Sequence, residues 1–135
     1  MRDVDLFRQL LALPRSWSVE QVVLASKEER IDVFLRHRSN ARFRCPKCGA
    51  VLPLHDHTPP RRWWHLDHGA WRTWLHARIP RVACLIHGVR QVRLPWALPG
   101  SRFTRGFERW AIDTLLEADV SGACRLLRLS WDEAW

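Results

Sequence analysis

Two short stretches of the chain carry residue types that hold metals. In CPKCGA, residues 45–50, Cys45 and Cys48 flank two residues and Gly49 follows. In CLIHG, residues 84–88, Cys84 and His87 are spaced the same way and Gly88 follows. Both turns have the form ligand-x-x-ligand-glycine. The glycine tolerates the positive φ such a turn needs and lets backbone N–H groups approach a metal-bound sulfur. Three thiolates and one imidazole are a tetrahedral donor set that Zn²⁺ accepts without strain, and four protein ligands leave no position open for water. The expected cofactor is therefore one structural zinc per chain, on Cys45, Cys48, Cys84 and His87. The halves lie 35 residues apart, a gap that suits a zinc ribbon with strands between its knuckles.

A rival set exists. HDH places His55 and His57 just after the first knuckle, and HLDH adds His65 and His68. Cys45, Cys48, His55 and His57 could together bind a metal, although Pro53 and Pro59 bracket that segment as loop. The histidine–aspartate clusters also raise a metal nuclease. Such a site needs several convergent acids, and the middle of the chain holds only Asp56, Asp67 and Glu108. Cys124 reads as a small buried hydrophobe.

The elements that must position the knuckles follow from periodicity. VDLFRQLLAL, residues 4–13, has a helical apolar stripe that Pro14 ends. The stretch from Trp17 to Arg38 alternates on either side of SKEER and predicts a β-hairpin. VLPLHDHTPPRR reads as a proline-broken loop. WWHLDHG and AWRTWLHARIP predict strands joined at Gly69, and RVACLIHGVRQVRLPW predicts two more around the second knuckle. Short strands with polar turns predict a small antiparallel sheet. From Ser101 the period becomes helical, with Phe103, Phe107, Trp110, Ala111, Leu115 and Ala118 in step. SGACRLL predicts a second short helix, and the Ser130/Glu133 capping box opens a third at Trp131. The fold class is α+β: an antiparallel zinc ribbon after a helix and hairpin, and before an incomplete helix-turn-helix. The expected divisions are 1–44, 45–100 and 101–135.

Charge narrows the partners. Residues 36–109 hold 15 basic and 3 acidic side chains, a net of +12, while the flanks are acidic, at −1 for 1–35 and −3 for 110–135. Twenty of the 22 basic residues are arginine, whose planar fork matches phosphates and guanine edges. That distribution points to nucleic acid, with Arg61, Arg62, Arg72, Arg78, Arg81, Arg90, Arg93, Arg102 and Arg105 as candidate contacts. Trp63, Trp64, Trp71 and Trp74 alternate with Arg61, Arg62, Arg72 and His76, which could form a basic-aromatic surface. No apolar run is long enough to span a membrane, and the N-terminus has no signal-peptide pattern, so the cytoplasm is expected.

CPKCG, WWHLDHG, RIPRVACLIHGVRQVRLPWALPGSRFTRGFE and LLRLSW together resemble the N-terminal region of bacterial insertion-sequence transposases of the ISL-three family. The resemblance runs from about Trp17 to the last residue. It implies zinc on Cys45, Cys48, Cys84 and His87 and a helix-turn-helix over 104–135. It further implies binding of double-stranded DNA at the element's terminal inverted repeats. In that family a C-terminal ribonuclease-H-type domain with magnesium-binding acids cuts and joins DNA. No counterpart lies within these residues, so the expectation is a truncated transposase with no enzymatic activity of its own and no small-molecule substrate. Arg128 stands where such turns usually carry glycine. A homo-oligomer is compatible with this reading, and the alternative is a zinc-ribbon module for protein interaction or dimerisation.

Overall fold

The computed structural model describes residues 3–68, 70–117 and 120–127. The class is α+β. Helix α1 spans Asp3–Leu10 and ends in a tight turn at Leu11–Ala12, with Ala12 at φ 49°. Strands β1 (Trp17–Ala25) and β2 (Arg30–His37) form the expected hairpin around residues 26–29.

Two very short strands, β3 (Arg42–Arg44) and β4 (Val51–Pro53), flank the first knuckle and pair with each other. The segment read as a loop thus holds β4 and also β5 (Asp56–His57). Both strands are too short for alternation to reveal. Strands β6 (Arg61–His68) and β7 (Trp71–Ala77) pair antiparallel, and their turn at Gly69 lies outside the described residues. Strands β8 (Pro80–Cys84) and β9 (Gly88–Gln91) enclose the second knuckle.

The main sheet has the order β1-β2-β7-β6, so strands from both sides of residue 45 share it. Its β2–β7 pair is parallel, from Arg30↔Arg72 to Phe34↔His76. This departs from the expected antiparallel sheet. The ladder direction is set by the long crossover from β2 to β7, which carries the first knuckle and β6. Side chains alternate across the sheet. One face sends Ile31, Val33, Leu35, Trp63, Leu75 and Ala77 into the larger core, where Val33 and Leu75 are fully buried. Trp17, Trp63 and Trp96 meet there edge to face, with centroids 4.8 and 5.5 Å apart. Trp96 Nε1 is buried with no hydrogen-bond partner among the described residues.

The opposite face carries Trp64 and Trp74, stacked at 5.6 Å. Helix α2 (Arg105–Glu117) and helix α3 (Val120–Leu127) close over it through Phe107, Ala111, Leu115 and Leu127. Thr104 caps α2, its hydroxyl accepting from Phe107 N–H at 3.3 Å. Backbone bonds Trp64 N→Arg102 O and Thr104 N→Trp64 O lay residues 102–104 along the edge of β6. Phe103 precedes the helix and stacks on Phe107. Trp110, although in helical step, is 52% exposed because only one narrow side of α2 meets the sheet. Cys124 is buried, as expected. Ala118 and the helix expected from Trp131 lie outside the described residues.

Away from the helices, the second face is covered by polar contacts. Asp32 is buried and accepts from Arg30 Nε at 2.8 Å and His76 Nε2 at 2.6 Å. The ring of His76 stacks on Phe34.

Candidate metal centre and nucleic-acid interface

Each knuckle is a tight turn between two short paired strands. In the first, Gly49 N–H donates to Cys45 O and Cys45 N–H to Ala50 O, both at 2.9 Å. Gly49 sits at φ 76° and Gly88 at φ 74°, the left-handed values that the two glycines were expected to supply. The β3–β4 and β8–β9 hairpins thereby bring their turns face to face.

Cys45, Cys48, Cys84 and His87 converge with their donor atoms within 4.8 Å of one another. The His87 donor is Nδ1, 3.8 Å from Cys45 Sγ and 3.6 Å from Cys84 Sγ. Cys48 Sγ lies 3.7 Å from Cys84 Sγ. A zinc–sulfur bond of about 2.3 Å places tetrahedral ligands about 3.8 Å apart. The donor set thus has the size and chemistry of a zinc tetrahedron. His55 and His57 stand outside it. His57 bonds instead to His37, so the rival set is not assembled.

The thiols differ. N–H groups of His87 and Ile86 donate to the Cys84 sulfur, and with the His87 ring they bring its pKa down to about 6. The Cys48 thiol receives a bond from Ala50 N–H that lowers its pKa. Desolvation and the neighbouring Cys84 and Cys45 outweigh it, so the net shift is upward. Three crowded sulfurs resist ionising together unless a cation joins them.

The candidate arginines divide by what they touch. Arg81 pairs with Asp56, Nε to Oδ1 at 2.6 Å with a second short contact from Nη2 to Oδ2. That pairing raises the pKa of Arg81 and lowers that of Asp56. Arg62 lies 4.3 Å over the Trp74 ring, and Arg72 lies 5.2 Å over Trp64. Arg61 lies 5.1 Å over Trp63 and donates to Ser101 O. Trp63 and Trp64 are buried, and arginines cap rings that were considered for base stacking. Arg78, Arg90, Arg93, Arg102 and Arg105 are exposed. Sequence reasoning passed over Arg44, which donates to Gly49 O, and Lys47. Their position in and beside the CPKC motif was the available signal.

A histidine pair ties the hairpin to the ribbon. His37 Nδ1 lies 2.7 Å from Arg38 O and so carries the proton. His37 Nε2 then accepts from His57 Nε2–H across 2.6 Å. Desolvation, and after it the closeness of His37 and the charge of Arg78, hold the His57 pKa below 6.5. The unfolded chain binds this proton more readily, so stability falls as pH drops below about 6.5. Urea midpoints at pH 7.5 and 5.5 measure the drop. His57→Gln should show a smaller one, since the zinc ligands contribute equally to both proteins.

A tetrahedral donor set held between two short hairpins, in a chain whose helix pair packs on a separate four-stranded sheet, defines a class, the zinc-ribbon and helix-turn-helix modules. Residues 41–87 match the zinc-finger of transposase IS204/IS1001/IS1096/IS1165, and residues 92–135 match the helix-turn-helix domain of transposase family ISL3. The chain is 31% identical over 136 residues to the transposase for insertion sequence element IS1557 of Mycobacterium tuberculosis, in strains CDC 1551 / Oshkosh and ATCC 25618 / H37Rv. The alignment takes in 97% of this chain and 31% of the relative, so the chain spans about a third of the relatives' length. No solved structure matches it. The chain belongs to the ISL3 transposase family, as its zinc-ribbon and helix-turn-helix N-terminal region. The family match and the donor set together give one structural zinc. Among the described residues, no helix is long and apolar enough to cross a membrane.

Proposed function

We propose that this chain binds double-stranded DNA at the ends of a mobile element, as the DNA-binding part of a transposase. One observation carries the reading. The zinc-finger match and the first part of the helix-turn-helix match fall within residues 36–109, the stretch that carries the chain's net positive charge. Zinc fixes the ribbon. Arginines of residues 61–105 then meet phosphates, and the helical segment from 101 onward reads base edges. In this reading 1–44, 45–100 and 101–135 divide the work as hairpin platform, ribbon and reader. The chain works in the cytoplasm and takes no small-molecule substrate. Cutting and joining of strands lie outside the role of these residues.

Binding to a duplex of about 30 base pairs, measured from 50 to 200 mM salt, tests the proposal. A protein neutralising several phosphates should lose affinity steeply, with a log–log slope of about −0.9 per phosphate. A flat salt response would overturn it. It would favour the second reading, a protein-interaction or dimerisation surface, for which the second knuckle offers Leu85 and Ile86 almost wholly exposed.

A further inference from the structure

Four of the nine candidate arginines, Arg61, Arg62, Arg72 and Arg81, are engaged inside the fold, and two of the five exposed ones, Arg90 and Arg93, line a common cleft. This cleft of about 350 Å³ opens between the first zinc knuckle, β6, β9 and residues 92–100. Lys47, Arg61, Arg90 and Arg93 line it, and among the described residues no carboxylate does. Four cations around one small opening repel one another, an arrangement that becomes favourable when an anion enters.

Two of the four are held in place. Arg90 Nε donates to His87 O at 3.0 Å, so a zinc ligand's own carbonyl positions this guanidinium. Arg61 is fixed between Ser101 O and the face of Trp63. An arginine has five N–H donors, so each keeps most of them for an external acceptor. Lys47 and Arg93 are exposed and have no ion-pair partner among the described residues. Arg81, neutralised by Asp56, and Arg62 and Arg72, each over a tryptophan ring, are not among the residues that line the cleft.

We propose that this cleft is the principal phosphodiester-binding site of the chain, gripping one strand of the DNA backbone where the ribbon meets the segment leading to α2. The inference rests on the DNA-binding reading and adds to it where the duplex sits. The cleft lies across the junction of the two matched regions, with Arg90 in the gap between residues 87 and 92. A backbone held there would be shared by the zinc centre and the helix-turn-helix. Rigid, pre-placed donors make this an arginine-dominated phosphate contact.

The test uses the zinc-loaded 135-residue chain and a fluorescent duplex of about 30 base pairs. Three proteins are compared with wild type: Lys47→Ala/Arg90→Ala/Arg93→Ala, Lys47→Glu/Arg93→Glu, and an equal-charge control, Arg8→Ala/Arg15→Ala/Lys27→Ala. Zinc content and circular dichroism are read for each. Lys47 and Arg93 have no ion-pair partner among the described residues, so this pair reports on the cleft even if the triple variant folds poorly. Both cleft variants should bind at least tenfold more weakly at 100 mM salt. The triple's salt slope should be shallower by about 2, the share of roughly two or three phosphates. The control should stay within threefold. Saturating inorganic phosphate should compete with wild type only weakly, since one free phosphate does not reproduce a backbone. Equal losses in cleft and control variants would overturn the cleft while leaving DNA binding intact. Strong competition by free phosphate would also overturn it, marking a small-anion site. A wild type that binds no duplex would bring down both the cleft and the DNA-binding reading.

Discussion

Cys84→Ser should leave the chain without stoichiometric zinc and with its ribbon unfolded. The zinc centre links the β3–β4 and β8–β9 turns through side chains from both knuckles. Serine presents an oxygen that stays protonated at neutral pH, so the tetrahedron loses a charged ligand and not merely a contact. Structural zinc contributes on the order of 10–16 kcal/mol to small metal-dependent folds, comparable to or above the net stability of a domain. Phe43, on β3 beside the first knuckle, packs against Trp17 and His37. Release of the knuckle should therefore reach the tryptophan cluster and alter its fluorescence. Metal per chain and emission spectra check this. Full zinc retention in the variant would refute the ligand assignment, and unchanged emission of the wild type after complete chelation would refute the unfolding of the ribbon.

Leu75→Ala should be the most costly single truncation among the aliphatic core positions, at about 2–5 kcal/mol. Leu75 is fully buried on β7, the strand that pairs parallel with β2 and antiparallel with β6. Its neighbours in register are Val33 and Trp63, both locked in the same core, so the cavity has little room to collapse. Leu24→Ala is the contrast, since Leu24 is 61% exposed on the outer strand β1. It should shift stability by no more than about 0.5 kcal/mol. Urea unfolding of both variants with zinc bound gives the comparison, and equal losses would show that β7 is not the structural centre.

The zinc set was readable from sequence because ligand chemistry is local. Each knuckle carries its own spacing, its own glycine and its own pair of flanking strands. The β1–β2 hairpin was readable for a similar reason, since alternation and a polar turn lie within one contiguous stretch. The parallel β2–β7 pair was not, because alternation says which face a residue occupies and is silent on which strand lies beside it. The state of each arginine was also hidden. Arg62 and Arg81 look alike in sequence, yet one lies on Trp74 and the other is bound to Asp56, and only the tertiary arrangement separates them. Asp32 illustrates the same limit. An acid in an alternating strand reads as solvent-facing, but here it is buried because Arg30 and His76 reach it.

The main sheet has two outer strands, and they are protected differently. Along β6 the chain lays down its own residues 102–104, which occupy part of that strand's outward hydrogen-bonding groups. Along β1 the register slips between Val19 and Gln21, so that Glu20 is squeezed out of the ladder. A bulge with a charged residue breaks the straight row of donors and acceptors that another strand would need. Two copies of the chain meeting edge to edge would find no continuous ladder to extend. The irregularity at Glu20 thus works as a guard against runaway strand addition, and leaves side-chain surfaces as the route by which copies could associate.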